Sequence, residues 1–403
     1  MSTQGIAREK LIVAILATVQ FCHMVDFVVM MPLGPLLMTK YSISPVEFAT
    51  LVSSYNIAAC LSGLVLGAIA DRYDLKRLLV LAFFGLAMGT FLCGYSSSYS
   101  ELLSARIFTG LFGGAVNGLV MASISHLVPY ERRGKAMGAI MGAFSAASVL
   151  GVPLGLAVAD RWGFNWSFYS IAAFALIPLI LLVLCTPCIP ASIKKLRFLE
   201  VLVKYKHTLS YQRNPLGHTM IFIVSFSMFL LIPFIAPFSV QNLGILQSDL
   251  KFMYLVGGLV TVVSSRVFGR MTDRFGSFRV FNVLALGAIV PILIFTNSGA
   301  ISLVGYIILM SVFMSVVSGR MIPCMTMITE IPMPSERGTY MGLLGSVRAL
   351  GSASSTFIAG LIIGQGASGE LTRYHLVGYL SVALMLLSLF MAFKIHSSKV
   401  AHS

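Results

Sequence analysis

Long apolar runs separated by short polar segments make up almost the whole chain. Each run reaches the length of about 20 residues that a helix needs to cross the hydrocarbon core of a bilayer. Twelve such spans are predicted, at residues 11–38, 46–70, 78–95, 101–127, 137–159, 166–187, 217–240, 251–269, 279–297, 301–328, 339–364 and 374–394. The pattern predicts an all-α, multi-pass integral membrane protein with twelve transmembrane helices.

The one long polar stretch lies between spans six and seven. Residues 190–216 carry six Lys and Arg side chains against a single acidic one, Glu200. We interpret this stretch as a basic cytoplasmic linker with an amphipathic interfacial helix at 198–203. It separates an N-terminal six-helix bundle, residues 1–189, from a C-terminal one, residues 217–403.

Composition agrees with a membrane protein and explains the charge. The chain is 57% hydrophobic and only 10% charged, whereas soluble domains have about 25% charged residues. The formal net charge is +14, but roughly 20 Lys and Arg residues fall on one side of the spans and about four on the other. This asymmetry predicts that both termini are cytoplasmic, and it makes a nucleic-acid partner unnecessary.

Two polar loops occur twice, once in each half of the chain. The segment from Gly67 to Arg77 returns 202 residues later as Gly269 to Arg279. The segment around residues 129–138 returns at 334–342. Such repeats predict two pseudo-symmetric bundles related by an axis along the membrane normal, with the substrate site between them near the midplane.

These loops resemble the signature G-x-x-x-D-R-x-G-R-[RK] of the major facilitator superfamily. The matching residues are Gly67, Asp71, Arg72, Lys76 and Arg77 in the first copy, and Gly269, Asp273 and Arg274 in the second. Asp74 and Leu75 depart from the pattern. The resemblance implies the superfamily's fold and a latch at the cytoplasmic face that these residues form. The alternative is that the charges only mark a cytoplasmic turn.

Two further segments resemble motifs of the same superfamily. Arg106 and the glycines after it in span four resemble a motif that the family connects with proton transfer; the alternative is an Arg that snorkels to the interface. Gly151, Pro153 and Gly155 in span five resemble the antiporter motif, which implies a flexing contact between the bundles. Helix packing alone is the alternative. Together these motifs are most similar to the twelve-span drug and sugar efflux branch.

Asp26 is the one acidic residue that lies deep inside a predicted span. It is about 15 residues into span one, about 22 Å along a helix. A carboxylate at that depth is costly unless it is paired or protonated, and this suits a proton carrier. His23 lies on the same helix face. The alternatives are a permanent ion pair of Asp26 with Arg320 or Arg348, and a packed, neutral His23.

Two residues of spans four and ten are further candidates for the cavity. Arg320 lies in span ten, one of the spans that line the cavity in the superfamily, and would suit an anionic substrate or an alternating partner for Asp26. A static pair with Glu330 is a weaker alternative, because ten residues separate the two side chains. Asn117 in span four either contacts substrate or hydrogen-bonds between helices.

No nucleotide-binding, metal-binding or hydrolase motif occurs in the sequence. We therefore predict a secondary transporter of the bacterial inner membrane, not an enzyme, that exports a small molecule by alternating access. No cofactor is expected, since the proton gradient supplies the energy. The expected partners are the substrate, protons and the lipid bilayer, with the chain acting as a monomer. One alternative is a specific importer or exporter of a sugar, amino acid or organic anion; a remote one is a non-transporting receptor or membrane enzyme.

Overall fold

The structure is a computed structural model that describes residues 3–69, 73–189, 198–211, 214–333 and 337–400. Long α-helices account for most of these ranges. Those before the linker are α1 (Thr3–Val29), α2 (Gly34–Tyr41), α3 (Pro45–Ile69), α4 (Leu75–Tyr95), α5 (Tyr99–Leu127), α6 (Tyr130–Ala146), α7 (Val152–Trp162) and α8 (Phe164–Cys185). A π-helical turn, Ala147–Gly151, joins α6 to α7.

The rest of the described chain is also mainly helical. They are α9 (Phe198–Ser210), α10 (Asn214–Phe229), α11 (Ile235–Gln241), α12 (Leu250–Phe275), α13 (Ser277–Asn297), α14 (Leu303–Gly319), α15 (Met321–Thr329), α16 (Arg337–Ile362), the short antiparallel pair β1 (Gly364–Gln365) and β2 (Leu371–Thr372), and α17 (Tyr374–Val400). Helix α9 confirms the helix predicted at 198–203 and extends it. The linker residues 190–197 and 212–213 lie outside the described ranges.

Within the described residues, eleven helical segments are long and apolar enough to cross a membrane. The segment missing from that set is the predicted span 339–364. It falls on α16, which has 26 residues but includes Arg348 and many Ser and Gly residues. The protein is therefore helical with multiple membrane-crossing segments, while the count of twelve and the cytoplasmic termini stay predictions.

Span one is not continuous, contrary to the predicted helix over 11–38. Helix α1 ends at Val29, and a turn over residues 30–33 precedes α2. Pro32 explains the break, because its ring clashes with the preceding helical turn and it has no N–H to donate. Asp26 consequently lies in the last turn of α1.

The chain divides into two compact units, and they differ from the predicted halves in one segment. The first unit comprises Met1–Met30 and Ser54–Val201, and the second comprises Met31–Ser53 and Leu202–Ser403. Contacts inside the second unit explain the assignment of 31–53: a Cβ added to Gly34 would lie 2.9 Å from the Pro237 ring, and Gln247 Nε2 donates to Pro32 O at 3.1 Å. The division of the chain into two repeated halves, with boundaries at residues 189 and 217, stays a prediction.

The repeat is visible in how two corresponding helices begin. Ser98 caps α5 by accepting a hydrogen bond from the Glu101 N–H, and Ser302 caps α14 by accepting one from the Gly305 N–H. The two serines are 204 residues apart, close to the spacing of the repeated loops. A hydroxyl at this position satisfies one of the unpaired donors at a helix start. The two halves thus share local chemistry as well as sequence.

Candidate functional site

A buried ion pair in the first unit is the central feature of the site. Asp26 on α1 and Arg106 on α5 are 0% and 1% exposed, and Arg106 Nη1 donates to Asp26 Oδ2 at 3.3 Å. The snorkelling alternative for Arg106 is therefore wrong, because its guanidinium points into the helix packing. The alternative pairing of Asp26 with Arg320 or Arg348 is also wrong, because the described ion-pair partner of Asp26 is Arg106.

Two neighbouring side chains contact this pair directly. Thr90 on α4 donates from Oγ1 to Asp26 Oδ1 at 2.8 Å, and its hydroxyl is also 2.9 Å from Leu86 O. The Tyr55 ring lies under the Arg106 guanidinium, with 4.4 Å between Cζ and the ring centroid. Thr90 was not among the predicted site residues, because a lone Thr in an apolar span is common and carries no sequence signal of its own.

Three buried polar residues follow one another on α1 at helical spacing. Gln20, His23 and Asp26 are each three residues apart, so they share a helix face, and all are buried. Gln20 Nε2 donates to Asn117 Oδ1 on α5 at 3.1 Å. We call these three residues the α1 polar seam. The structure thus brings together in the first unit four of the predicted cavity residues: Asp26, His23, Asn117 and Arg106.

Gly113 on α5 lies where α3 and the α1 polar seam approach α5 closely. A Cβ added to Gly113 would lie 2.2 Å from Tyr55 Oη and 3.3 Å from His23 Nε2. Only a residue without a side chain fits there. The buried Tyr55 Oη has no hydrogen-bond partner among the described residues. Buried polar atoms of this kind are typically satisfied by ordered water.

The antiporter-like glycines pack against the same helix that carries Asp26. Gly151 and Gly155 are four residues apart, and Cβ atoms added to them would lie 2.2 Å and 2.9 Å from Val25 Cγ2 and Val29 Cγ2 of α1. The π-helical turn ends two residues before Pro153, which has no N–H to donate within the helix. The contacts described here lie within the first unit, and the role of Gly151, Pro153 and Gly155 between bundles stays a prediction.

The first copy of the predicted latch is only partly described. Gly67 lies near the end of α3, whereas Asp71 and Arg72 are outside the described residues. Lys76 Nζ donates to Val183 O at 2.8 Å. Asp74, which departs from the family pattern, accepts a hydrogen bond from the backbone N–H of Arg77 at 2.9 Å and caps α4. The departure therefore supplies a helix cap.

The second copy of the latch lies at the end of α12. Asp273 and Arg274 are exposed there, and Gly276 closes the helix with φ +85°. No described atom lies within 4 Å of the Cβ position of Gly269. No other helix of the described part of the chain therefore packs closely at Gly269, and the latch stays a prediction.

Arg320 is buried in the second unit, whereas the residues of the α1 polar seam belong to the first. It is 0% exposed and lies between α14 and α15. Its Nη2 donates to Ser227 Oγ at 2.8 Å, and its Nε donates to Val317 O at 3.3 Å. The weaker alternative of a static pair with Glu330 is wrong, since no carboxylate of the described residues pairs with this guanidinium. In the same ranges, no group of three or more His, Cys, Asp or Glu side chains is placed to hold a metal ion.

Known proteins match this chain along most of its length. A family model described as Major Facilitator Superfamily matches residues 16–353 and, in a second match, 217–402. The uncharacterized MFS-type transporter YceJ of Bacillus subtilis (strain 168) is 25% identical over 349 residues, which cover 86% of this chain and 87% of that protein. Multidrug resistance protein 3 of the same organism is 32% identical over 123 residues, covering 30% of this chain and 24% of that protein.

Solved structures of membrane transporters share the fold. A bacterial homolog of the human lysosomal transporter Spinster, in an inward-facing and unoccupied conformation, matches with a TM-score of 0.76 at 16% identity over 98% of each chain. The human organic anion transporter MFSD10 (TETRAN) matches with a TM-score of 0.71 at 18% identity over 95% of this chain and 99% of its own. At such low identity these matches concern the fold alone.

Proposed function

Because this chain belongs to the major facilitator superfamily, whose members are multi-pass membrane transporters and not enzymes, we propose that it couples proton uptake to the export of a small molecule. Asp26 is the proton carrier in this proposal. The inner membrane of a bacterium is the proposed location, the proton gradient the energy source, and a monomer the working unit. Cytoplasmic latch residues and the glycines of span five would then accompany the change between the two access states.

The buried Asp26–Arg106 pair is the observation that carries this proposal. A carboxylate with 0% exposure can remain charged only while its cation stays in place. Any movement that lengthens the 3.3 Å contact favours protonation of Asp26, and protonation in turn weakens the contact. Proton binding and helix movement are thereby linked at one pair of side chains.

Thr90 allows both protonation states of Asp26 to be hydrogen-bonded. The Thr90 hydroxyl has one proton and lies within hydrogen-bond distance of both Asp26 Oδ1 and Leu86 O. It donates to the carboxylate when Asp26 is charged. When Asp26 is protonated, the carboxyl donates to Thr90, and Thr90 donates to Leu86 O instead. A carrier that loads and releases a proton needs such a neighbour, because an unsatisfied buried group is costly in either state.

Export, as opposed to import, is supported by the short match to a protein named Multidrug resistance protein 3. The alternative within transport is a specific carrier of a sugar, amino acid or organic anion. One observation favours an anionic substrate, namely the unpaired buried Arg320 in the second unit.

The proposal is tested by comparing wild type with Asp26→Asn in cells that express the full chain. Efflux of two fluorescent probes, the cation ethidium and the anion fluorescein, is followed with and without a protonophore. We expect uphill efflux of a transported probe to stop in Asp26→Asn and in protonophore-treated wild type, since both remove the coupled proton. Downhill exchange should persist in the variant, because the amide keeps the packing.

Asp249→Asn is the matched control, since Asp249 lies in the short 3-10 turn before α12 and outside the buried pair. It should leave uphill efflux unchanged at equal expression. Uphill efflux by Asp26→Asn at the wild-type rate would remove Asp26 from the coupling mechanism. Failure of wild type to move either probe would count against the efflux branch and in favour of the specific carrier.

A further inference from the structure

Arg320 is a fully buried cation whose described partners are all neutral. Its hydrogen-bond acceptors are the Ser227 hydroxyl at 2.8 Å, the Val317 carbonyl at 3.3 Å and, more weakly, the Val224 carbonyl at 3.5 Å. Buried Nη1 has no hydrogen-bond partner among the described residues. Arginine cannot shed its proton in a protein, so burial cannot neutralise it as it can a lysine or a carboxyl group. The folded second unit therefore holds an uncompensated positive charge.

The two halves carry polar residues of different charge at similar places. Ser227 lies 201 residues after Asp26, and Arg320 lies 203 residues after Asn117, offsets that are close to those of the repeated loops without equalling them. In the first unit these positions carry a carboxylate and a neutral amide. In the second unit the neighbouring positions carry a neutral hydroxyl and a guanidinium, and no described carboxylate pairs with that guanidinium.

The backbone around Arg320 is also interrupted. Helix α14 ends at Gly319 and α15 begins at Met321, so Arg320 is the junction between them. Pro323 contributes to the break, because it has no N–H to donate to the carbonyl four residues earlier. In membrane transporters, broken helices commonly contribute to substrate and ion sites.

We propose that Arg320 is the anion-binding residue of the second unit and that it takes a carboxylate, sulfonate or phosphate group of the transported molecule. This inference deepens the proposed function, since it rests on transport and adds the class of substrate. The planar guanidinium suits two-point contact with such a group, and the free Nη1 provides a donor for it. Ser227 holds the other side of the guanidinium in place.

Cys324 provides a reporter close to this site. It is buried one helical turn after Arg320, and its backbone N–H donates to Arg320 O at 3.2 Å. Residues four apart lie on the same helix face. We would treat membrane vesicles containing the full chain with two thiol reagents of similar size: anionic 2-sulfonatoethyl methanethiosulfonate and cationic 2-(trimethylammonium)ethyl methanethiosulfonate. Peptide mass spectrometry then gives the modification rate at each cysteine.

Each rate is divided by the rate of the same reagent with free 2-mercaptoethanol, because a thiolate intrinsically favours the cationic reagent. After this correction, an uncompensated Arg320 should make the anionic reagent react with Cys324 at least about tenfold faster than the cationic one. Arg320→Lys keeps the charge and should keep the preference, whereas Arg320→Gln should bring the rate ratio close to one. Cys22 is the internal control, because it lies in the first unit four residues before Asp26. Its rate ratio should be the same in wild type and Arg320→Gln.

Protection experiments separate an organic substrate from an inorganic anion. Benzoate should slow the modification of Cys324, while sulfate and benzylamine at equal concentration should not. Protection by sulfate to the same extent as benzoate would assign the site to an inorganic oxyanion and overturn the substrate class. Protection by none of the three would overturn it as well.

Three results would refute the anion site itself: a ratio near one in wild type, a ratio unchanged in Arg320→Gln, or no reaction of Cys324 with either reagent. If Arg320→Gln fails to fold, wild type against Arg320→Lys and the protection data decide. These readouts do not depend on proton coupling. Uphill efflux by Asp26→Asn would refute the proton carrier and leave the rate ratio at Cys324 intact.

Discussion

Gly113 gives the sharpest structural test of the site, because one added methyl group would displace the residues around Asp26. In Gly113→Ala the new Cβ would lie 2.2 Å from Tyr55 Oη, whereas ordinary contact begins at 3.4 Å. The Tyr55 ring would have to move by about 1.2 Å. It has little freedom to do so, since it is 2% exposed and its ring lies against Arg106 and Phe27.

The cost can be estimated against a control on the same helix. Overpacking a rigid interior typically costs about 1–3 kcal/mol. Replacement of a helical glycine by alanine contributes about 1 kcal/mol in the opposite direction. Gly118→Ala has the same gain, and its nearest neighbour is the flexible end of Leu66, with Cδ2 at 3.2 Å. We therefore expect Gly113→Ala to unfold with a free energy about 1–3 kcal/mol lower than Gly118→Ala.

The assay is the unfolding midpoint of each purified variant during titration with sodium dodecyl sulfate, together with the initial rate of proton-coupled efflux. Gly113→Ala should lose most of its uphill efflux, since a displaced Tyr55 also displaces the guanidinium that pairs with Asp26. Gly118→Ala should keep it. Equal stability and equal efflux of the two variants would show that Tyr55 and its neighbours tolerate the methyl group and would refute close packing at Gly113.

Two further predictions concern individual hydrogen bonds. Thr90→Val should lower uphill efflux and reduce the free energy of unfolding by about 1–3 kcal/mol, because the buried carboxyl group loses a hydrogen-bond partner. Thr90→Ser should retain the efflux rate and the stability of wild type. Equal efflux rates of the two variants would contradict this prediction. In the β1–β2 turn, the Ser368 hydroxyl bond holds the pKa of Glu370 below its ordinary value of 4.5. Stabilisation from this bond is present above the unfolded pKa and is lost as the pH falls through the folded pKa. Ser368→Ala should raise that pKa in a carbon-13 NMR titration, and an unchanged midpoint would refute the assignment.

The sequence was sufficient for the class of fold because span length and apolar character depend on local composition. Asp26 stood out on the same grounds, since a carboxylate is rare inside an apolar run. The partner of Asp26 could not be predicted. Whether Arg106, Arg320 or Arg348 faces α1 depends on the rotation of each helix about its axis, and apolar residues on all sides of a span leave that rotation undefined.

The sequence alone also did not explain why Asp74 departs from the family signature. Asp74 differs from the family signature, and only the backbone geometry shows that it caps α4. The break after α1 was also missed, although Pro32 is a recognisable signal, because a proline inside a membrane span is often tolerated as a kink. Thr90 had no signal, since its role depends on where α4 lies against α1.

The serine caps of α5 and α14 show which parts of a duplicated protein are free to diverge. Loss of either hydroxyl would cost the helix start about 1 kcal/mol in both copies, so the two halves keep the same solution. Interior polar positions are under no such common requirement once the copies are joined. After duplication, the interior of one copy was therefore free to hold an acid–base pair, Asp26 with Arg106, while the interior of the other holds a buried base, Arg320, with neutral described partners.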